Sequence, residues 1–200
     1  MLTIPDGNFA AYIFDCDGTL VDSMPLHLLA WRAALEMHGF PPDQFTLKMH
    51  HGFAGMPGAA IVRKLNADFG CDLPPDRVEE DKVTWYLKHH VAVRGIEPVV
   101  QIARAAHGRI PMAVASGSDT EIVHESLRII GIHDLFATII TPLDVARGKP
   151  APDMFLLAAE RMGVAPADCL VFEDGLLGIE AAKAAGMQYV FVPAEMVQDS

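Results

Sequence analysis

Two aspartates two residues apart, Asp15 and Asp17, follow the apolar run Phe9 to Phe14 and precede Gly18-Thr19. Three further polar groups follow later apolar runs: Ser116-Gly117-Ser118, Gly148-Lys149-Pro150 and Glu173-Asp174-Gly175. Each can do one part of a phosphoryl transfer. Four converging carboxylates (Asp15, Asp17, Glu173, Asp174) demand a cation, and an oxygen-only donor set suits a hard ion such as Mg²⁺. The ion would shield Asp15 while an anionic phosphate approaches, and Lys149 adds a point charge on the same side. Ser116 and the backbone N–H groups around Gly117 and Gly18 can cradle phosphate oxygens. Asp17 can then protonate a leaving oxygen and later activate water.

The elements that must position these residues are legible as short apolar runs. Phe9–Phe14, Pro111–Ala115, Ala137–Ile140, Cys169–Phe172 and Tyr189–Val192 are nearly continuous in apolar residues, as strands covered on both faces are. Helical patterns lie between them. Ser118-Asp119-Thr120-Glu121 reads as a capping box before Ile122, Val123, Leu127 and Ile130, with Gly131 as the stop. Asp153 opens a second segment that Gly163 stops, and a third runs from Gly175 to Ala185. Alternating strands and helices from about residue 96 onward predict βαβ units, a parallel sheet and the α/β class. Ligands of such sheets bind beyond the carboxyl ends of the strands, where all four polar groups fall.

The first strand is cut off from this series by a helical stretch. Leu26, Leu29, Ala30, Ala34 and Met37 are expected to share one buried helix face, ended by Gly39 and Pro41-Pro42. Further helices are expected over 59–68 and 76–90. Residues 22–92 therefore read as an inserted helical cap, with 1–21 and 93–200 as the core. Cys16 is expected to be buried filler, its side chain pointing away from the site. His50-His51, near a turn of the cap, can face a substrate.

Together these motifs resemble the haloacid dehalogenase superfamily, in the subgroup with a helical cap after the first strand. The resemblance rests on Phe14-Asp15-Cys16-Asp17-Gly18-Thr19-Leu20, Ser116-Gly117-Ser118, Gly148-Lys149-Pro150-Ala151-Pro152-Asp153, and Phe172-Glu173-Asp174 with Gly178 and Ala185-Gly186. It implies a Rossmann-like core, Mg²⁺, an aspartyl-phosphate on Asp15 and acid/base work by Asp17. The second aspartate of the first motif is what the family's phosphatases have and its dehalogenases lack. His107 to Val114 and Arg161 to Val164 resemble the β-phosphoglucomutase-like branch, and more narrowly bacterial fructose-1-phosphate and 6-phosphogluconate phosphatases. That branch places a cap histidine near the active site, at His27 here. The mutase carries an arginine in a cap turn that corresponds to Gly55-Met56-Pro57-Gly58-Ala59, where this chain has no basic residue. The departure favours a phosphatase over a phosphosugar mutase. A receiver-like signalling module would need an acceptor aspartate near Thr141-Pro142, and no aspartate stands there.

Composition sets the remaining expectations. The 200 residues, 51% apolar, can bury one large core with a smaller module inserted. With 15 basic against 26 acidic residues the formal charge is −11, which repels nucleic acid and anionic membranes. A phosphorylated small-molecule substrate would be repelled too, so the site must compensate locally. Cys16, Cys71 and Cys169 form no disulfide framework, and the N-terminus has no signal-peptide pattern, both consistent with a reducing cytoplasm. The family resemblance implies a monomer.

Overall fold

The computed structural model describes residues 2, 4–53 and 56–194. In chain order its strands and α-helices begin with β1 (Ala11–Phe14), β2 (Val21–Asp22), α1 (Met24–Met37), α2 (Leu47–Gly52), α3 (Gly58–Phe69) and α4 (Pro75–His89). There follow β3 (Arg94–Gly95), α5 (Glu97–Ala106), β4 (Met112–Ala115), α6 (Thr120–Ile129) and β5 (Thr138–Ile140). The chain ends through α7 (Asp153–Met162), β6 (Cys169–Glu173), α8 (Leu176–Ala184) and β7 (Gln188–Phe191).

Five strands pair in parallel in the order β5–β4–β1–β6–β7. The strand order reverses at β1, which places the residues after β1 at the switch point of the sheet. Successive side chains of each strand enter opposite cores. Phe14 and Phe172 stack at 4.6 Å on one face with Val114 and Leu127. Ile13, Ala113 and Val171 pack on the other against Phe155 and Ala159 of α7. Both faces are dry, which is why the runs are apolar throughout instead of alternating. Cys16 is fully buried in the first of these cores, as expected.

Helices α1 to α4 lie between β2 and β3, two short strands that pair antiparallel through Val21 with Gly95 and Asp22 with Arg94. These helices bury a separate cluster around Trp31, Leu35, Phe45, Val62 and Leu65. Tyr86 of α4 reaches the sheet-bearing part, packing with Ala30 and Ile122 while its hydroxyl lies 3.3 Å from that of Ser126.

Two sequence expectations change here. The buried face of α1 is His27, Ala30, Trp31, Ala34 and Leu35, whereas Leu29 and Met37 are exposed. The largest apolar side chain, Trp31, and the hydrogen bond made by His27 turn the helix away from the face that Leu29 and Met37 mark. The N-cap of α6 is Asp119, whose carboxylate accepts from the N–H of Glu121, so Ser118 forms no capping box. Its hydroxyl is used elsewhere.

Candidate active site

Beyond β1 the chain folds back on itself: the carbonyl of Cys16 accepts from the N–H groups of Thr19, Leu20 and Val21, and the N–H of Gly18 donates to Val21. This tight loop requires glycine at 18. Its φ is +83°, and a Cβ there would lie 2.3 Å from Oδ2 of Asp174. The loop sends Asp15 and Asp17 in different directions.

Asp15 turns toward β6. Its Oδ1 accepts from Nζ of Lys149 at 2.6 Å, and the same ammonium donates to Oε2 of Glu173 at 2.7 Å. Lys149 comes from the loop between β5 and α7 and is 2% exposed. Glu173 also accepts from the N–H of Gly175, and Asp174 accepts from the hydroxyl of Thr19. Gly178 of α8 makes room for Glu173, since a Cβ there would lie 2.1 Å from its carboxylate.

Ligand oxygens of Asp15, Glu173 and Asp174 all lie within 4.8 Å of one another. Burial, then the charges of Glu173 and Asp174, push the Asp15 carboxyl well above its usual range. Burial and Glu173 push Asp174 up to about 8. Burial opposes the charge of Lys149, but Asp15 and Glu173 outweigh it and hold the ammonium protonated above its ordinary range. With all three ionised, the carboxylates would outnumber the one ammonium of Lys149. Such an excess of buried charge calls for a partner, and the all-oxygen donor set fits a hard divalent cation.

Asp17 turns the other way, toward α1. Oδ1 accepts from the hydroxyl of Ser23 at 2.6 Å and from Nε2 of His27 at 2.8 Å, and Oδ2 accepts from the hydroxyl of Ser118 at 2.5 Å. Burial favours its protonated form, but His27 beside it and the hydrogen bonds from His27, Ser118 and Ser23 win and hold it well below the carboxylate range. Burial and the nearby Lys82 lower the pKa of His27 against the pull of Asp17, and its Nε2–H donates to the carboxylate. The ring stacks on Tyr86 at 4.4 Å.

Asp17, expected among the metal ligands, thus has its carboxylate turned to Ser23, His27 and Ser118, apart from the grouped oxygens of Asp15, Glu173 and Asp174. Asp15, Glu173 and Asp174 are brought together with Lys149. Ser116 follows β4 and is buried, with its Oγ accepting from the N–H of Ser118. Gly117 lines a cavity with Asp17 and Ser118. His27 also lines this cavity, but its bond is to Asp17.

Several participants escaped sequence reasoning. Ser118 stands where the sequence pattern expects a helix cap, and its hydroxyl serves Asp17. Ser23 carried no signal. Lys82 sits in a helix whose charged run reads as a solvated face, yet it is 6% exposed with its Nζ over the rings of Trp31 and Tyr86. After β5, Thr141 is followed by a single helical turn in which Asp144 caps Thr141 and pairs with Arg161, so no acceptor aspartate stands at that strand end. Among the described residues no helix is long and apolar enough to cross a membrane.

The family model for haloacid dehalogenase-like hydrolases matches residues 9–186. The chain is 37% identical over 186 residues to the fructose-1-phosphate phosphatase YqaB of Escherichia coli, covering 92% of this chain and 96% of that one. It is 30% identical over 193 residues to a phosphorylated carbohydrates phosphatase of Thermotoga maritima, covering 94% and 87%. The crystal structure of a hydrolase from Pseudomonas syringae superposes with a TM-score of 0.82 at 25% identity, over 90% of this chain and 83% of that one. The motif residues at the strand ends, the parallel sheet with its helical insertion and these matches agree, and the chain belongs to the haloacid dehalogenase-like hydrolase family.

Proposed function

We propose that this protein hydrolyses small phosphomonoesters, sugar phosphates in the first place, through an aspartyl-phosphate on Asp15. The observation that carries the reading is the separation of the two aspartates. Two residues apart in the chain, they sit in opposite environments, Asp15 among carboxylates and Lys149, Asp17 among hydrogen-bond donors. Divergent environments on neighbouring carboxyls divide labour between them. The phosphatase names of the relatives support the same reading.

A carboxylate oxygen of Asp15 attacks phosphorus, the bond to the ester oxygen breaks, and Asp17 passes its proton to the leaving oxygen. Water then attacks the phosphorylated Asp15 and gives a proton to Asp17. The phosphorus–oxygen bond to Asp15 breaks, releasing inorganic phosphate. For the first half, Asp17 must be protonated, and an arriving phosphate dianion raises its proton affinity. For the second half the donors from His27, Ser23 and Ser118 hold it ionised, the form that takes a proton from water. Lys149, Ser116 and the N–H groups near Gly117 and Gly18 are placed to hold phosphate oxygens. Asp15, Glu173 and Asp174 would hold Mg²⁺, which supplies positive charge against the phosphate and keeps Asp15 deprotonated.

Residues 22–92 act in this reading as a cap that closes over the core formed by 1–21 and 93–200. Hydrolysis in preference to mutase chemistry is supported by Met56–Ala59 of the cap turn, which carry no cation for a second phosphate. Gly55 of that turn lies outside the described residues.

The test is phosphate release from fructose-1-phosphate, 6-phosphogluconate, β-glucose-1-phosphate and phosphoglycolate, with Mg²⁺ and with EDTA. Release from at least one ester, abolished by EDTA, is expected. Conversion of β-glucose-1-phosphate to glucose-6-phosphate without release would hand the site to the mutase. The metal reading has its own check in thermal melts. With Asp174 pushed up to about 8, its carboxyl carries a proton at pH 5.5 that an incoming ion must displace, and the raised Asp15 adds to the cost in the same direction. That cost falls as pH rises through the folded-state values. The gain in Tm on adding Mg²⁺ to EDTA-treated protein is therefore expected to be larger at pH 8 than at pH 5.5, and an equal gain at both would count against these ligands.

A further inference from the structure

We infer that His50 reads a hydroxyl group on the part of the substrate that lies under the cap. The inference rests on the phosphatase reading and names the chemistry its substrate must carry. His50 lies in α2, whose N-cap Thr46 accepts from the N–H of Met49. Its ring is 5% exposed and is held edge-on by Phe45 at 6.1 Å. It lines the same cavity as Asp17, His27, Lys82 and Ser118. Its Nδ1 is fully buried and has no hydrogen-bond partner among the described residues. Buried polar nitrogens are paired as a rule, and a ring that lines a ligand cavity with a nitrogen unpaired can find its partner in the ligand.

The chemistry of the ring selects the ligand group. Burial first, and then the neighbourhood of His27, His51 and Lys82, pushes the pKa of His50 down to about 3. The imidazole is thus neutral at physiological pH and offers no charge to a second phosphate or a carboxylate. A neutral ring presents one donor and one acceptor nitrogen, and a hydroxyl can meet either. The nearby ammonium of Lys82 already faces the charges of Asp17, Glu79 and Asp119. The apolar remainder of the cavity, Phe53 and Ile61 among it, tolerates carbon but supplies no hydrogen bond. His50 therefore makes the site distinguish a polyhydroxylated ester from one without hydroxyls.

The experiment compares kcat/KM for fructose-1-phosphate and for phenyl phosphate in the native protein, His50→Leu and His50→Asn. Leucine keeps much of the volume and removes the nitrogens, whereas asparagine returns a polar atom near the position of Nδ1. Loss of one such pairing is worth about tenfold. His50→Leu is expected to lose about that factor on fructose-1-phosphate while phenyl phosphate stays within about twofold, and His50→Asn is expected to recover most of the loss. Equal losses on both esters, no loss on fructose-1-phosphate, or no recovery with asparagine would overturn the inference. If the native protein leaves fructose-1-phosphate intact, that failure belongs to the proposed activity on this ester. His50 is then judged by calorimetric binding of fructose-1-phosphate to Asp15→Asn and to Asp15→Asn/His50→Leu. About tenfold weaker binding to the second protein upholds it; equal binding, or none to either, overturns it.

Discussion

Asp15→Asn is expected to lower kcat by roughly 10⁴-fold or more while leaving the fold intact. The amide has the shape of the carboxylate but cannot attack phosphorus, so the reaction loses its first step outright. A folding defect is not expected to confuse the result. In the native protein burial and the charges of Glu173 and Asp174 push the Asp15 carboxyl well up, so its ionised form is disfavoured there. A neutral side chain relieves that repulsion even though it gives up the contact with Lys149. The Tm in EDTA should therefore hold or rise. Retained phosphate release with an unchanged Tm would show that Asp15 is not the nucleophile.

Lys149→Met is expected to destabilise as well as inactivate. Lys149 is buried, and its ammonium is the group that joins Asp15 to Glu173. Removing one side of a buried ion pair costs about 3–5 kcal/mol because the charges left behind are stranded. The sign of the pH dependence follows from the carboxyls. Groups whose folded pKa is raised favour the fold below their unfolded value and lose that contribution as pH rises through the folded one. Asp15 and Asp174 are of this kind, with Asp174 at about 8. The deficit measured by urea unfolding in EDTA should therefore be largest at pH 8 and shrink toward pH 5.5, where Asp174 is protonated. Mg²⁺ at pH 8 should restore part of it. A deficit that does not change with pH or Mg²⁺ would mean that Lys149 does not neutralise this cluster.

The sheet and the residues at its strand ends were legible because strands buried on both faces leave unbroken apolar runs, and the polar residues that follow them stand out. What stayed hidden depends on contacts between elements distant in the chain. Ser118 precedes a helix and so looks like a cap, but an aspartate 101 positions away claims its hydroxyl. Asp17 carries the same carboxylate as Asp15, and only the fold of the loop shows that it faces Ser23 and His27 instead of Glu173. Lys82 occupies a helix of mixed charge, and nothing in the period of that helix shows that Trp31 and Tyr86 cover it. The face of α1 was misjudged because periodicity weighs Leu29 and Met37 as core, whereas one tryptophan and one histidine with a distant partner decide the rotation.

The pairing of Val21–Asp22 with Arg94–Gly95 has a consequence for how such a molecule diversifies. Paired strands run about 5 Å apart, so the chain departs from the sheet and rejoins it at nearly one point. The seventy residues from Ser23 to Ala92 hang from that point without spacing any part of the sheet. A lineage can lengthen, shorten or replace them and leave the distances between Asp15, Lys149 and Asp174 untouched. Most of recognition can thereby be inherited apart from the nucleophile and its cluster, while Ser23 and His27, which hold Asp17, are the part of the segment that the chemistry keeps.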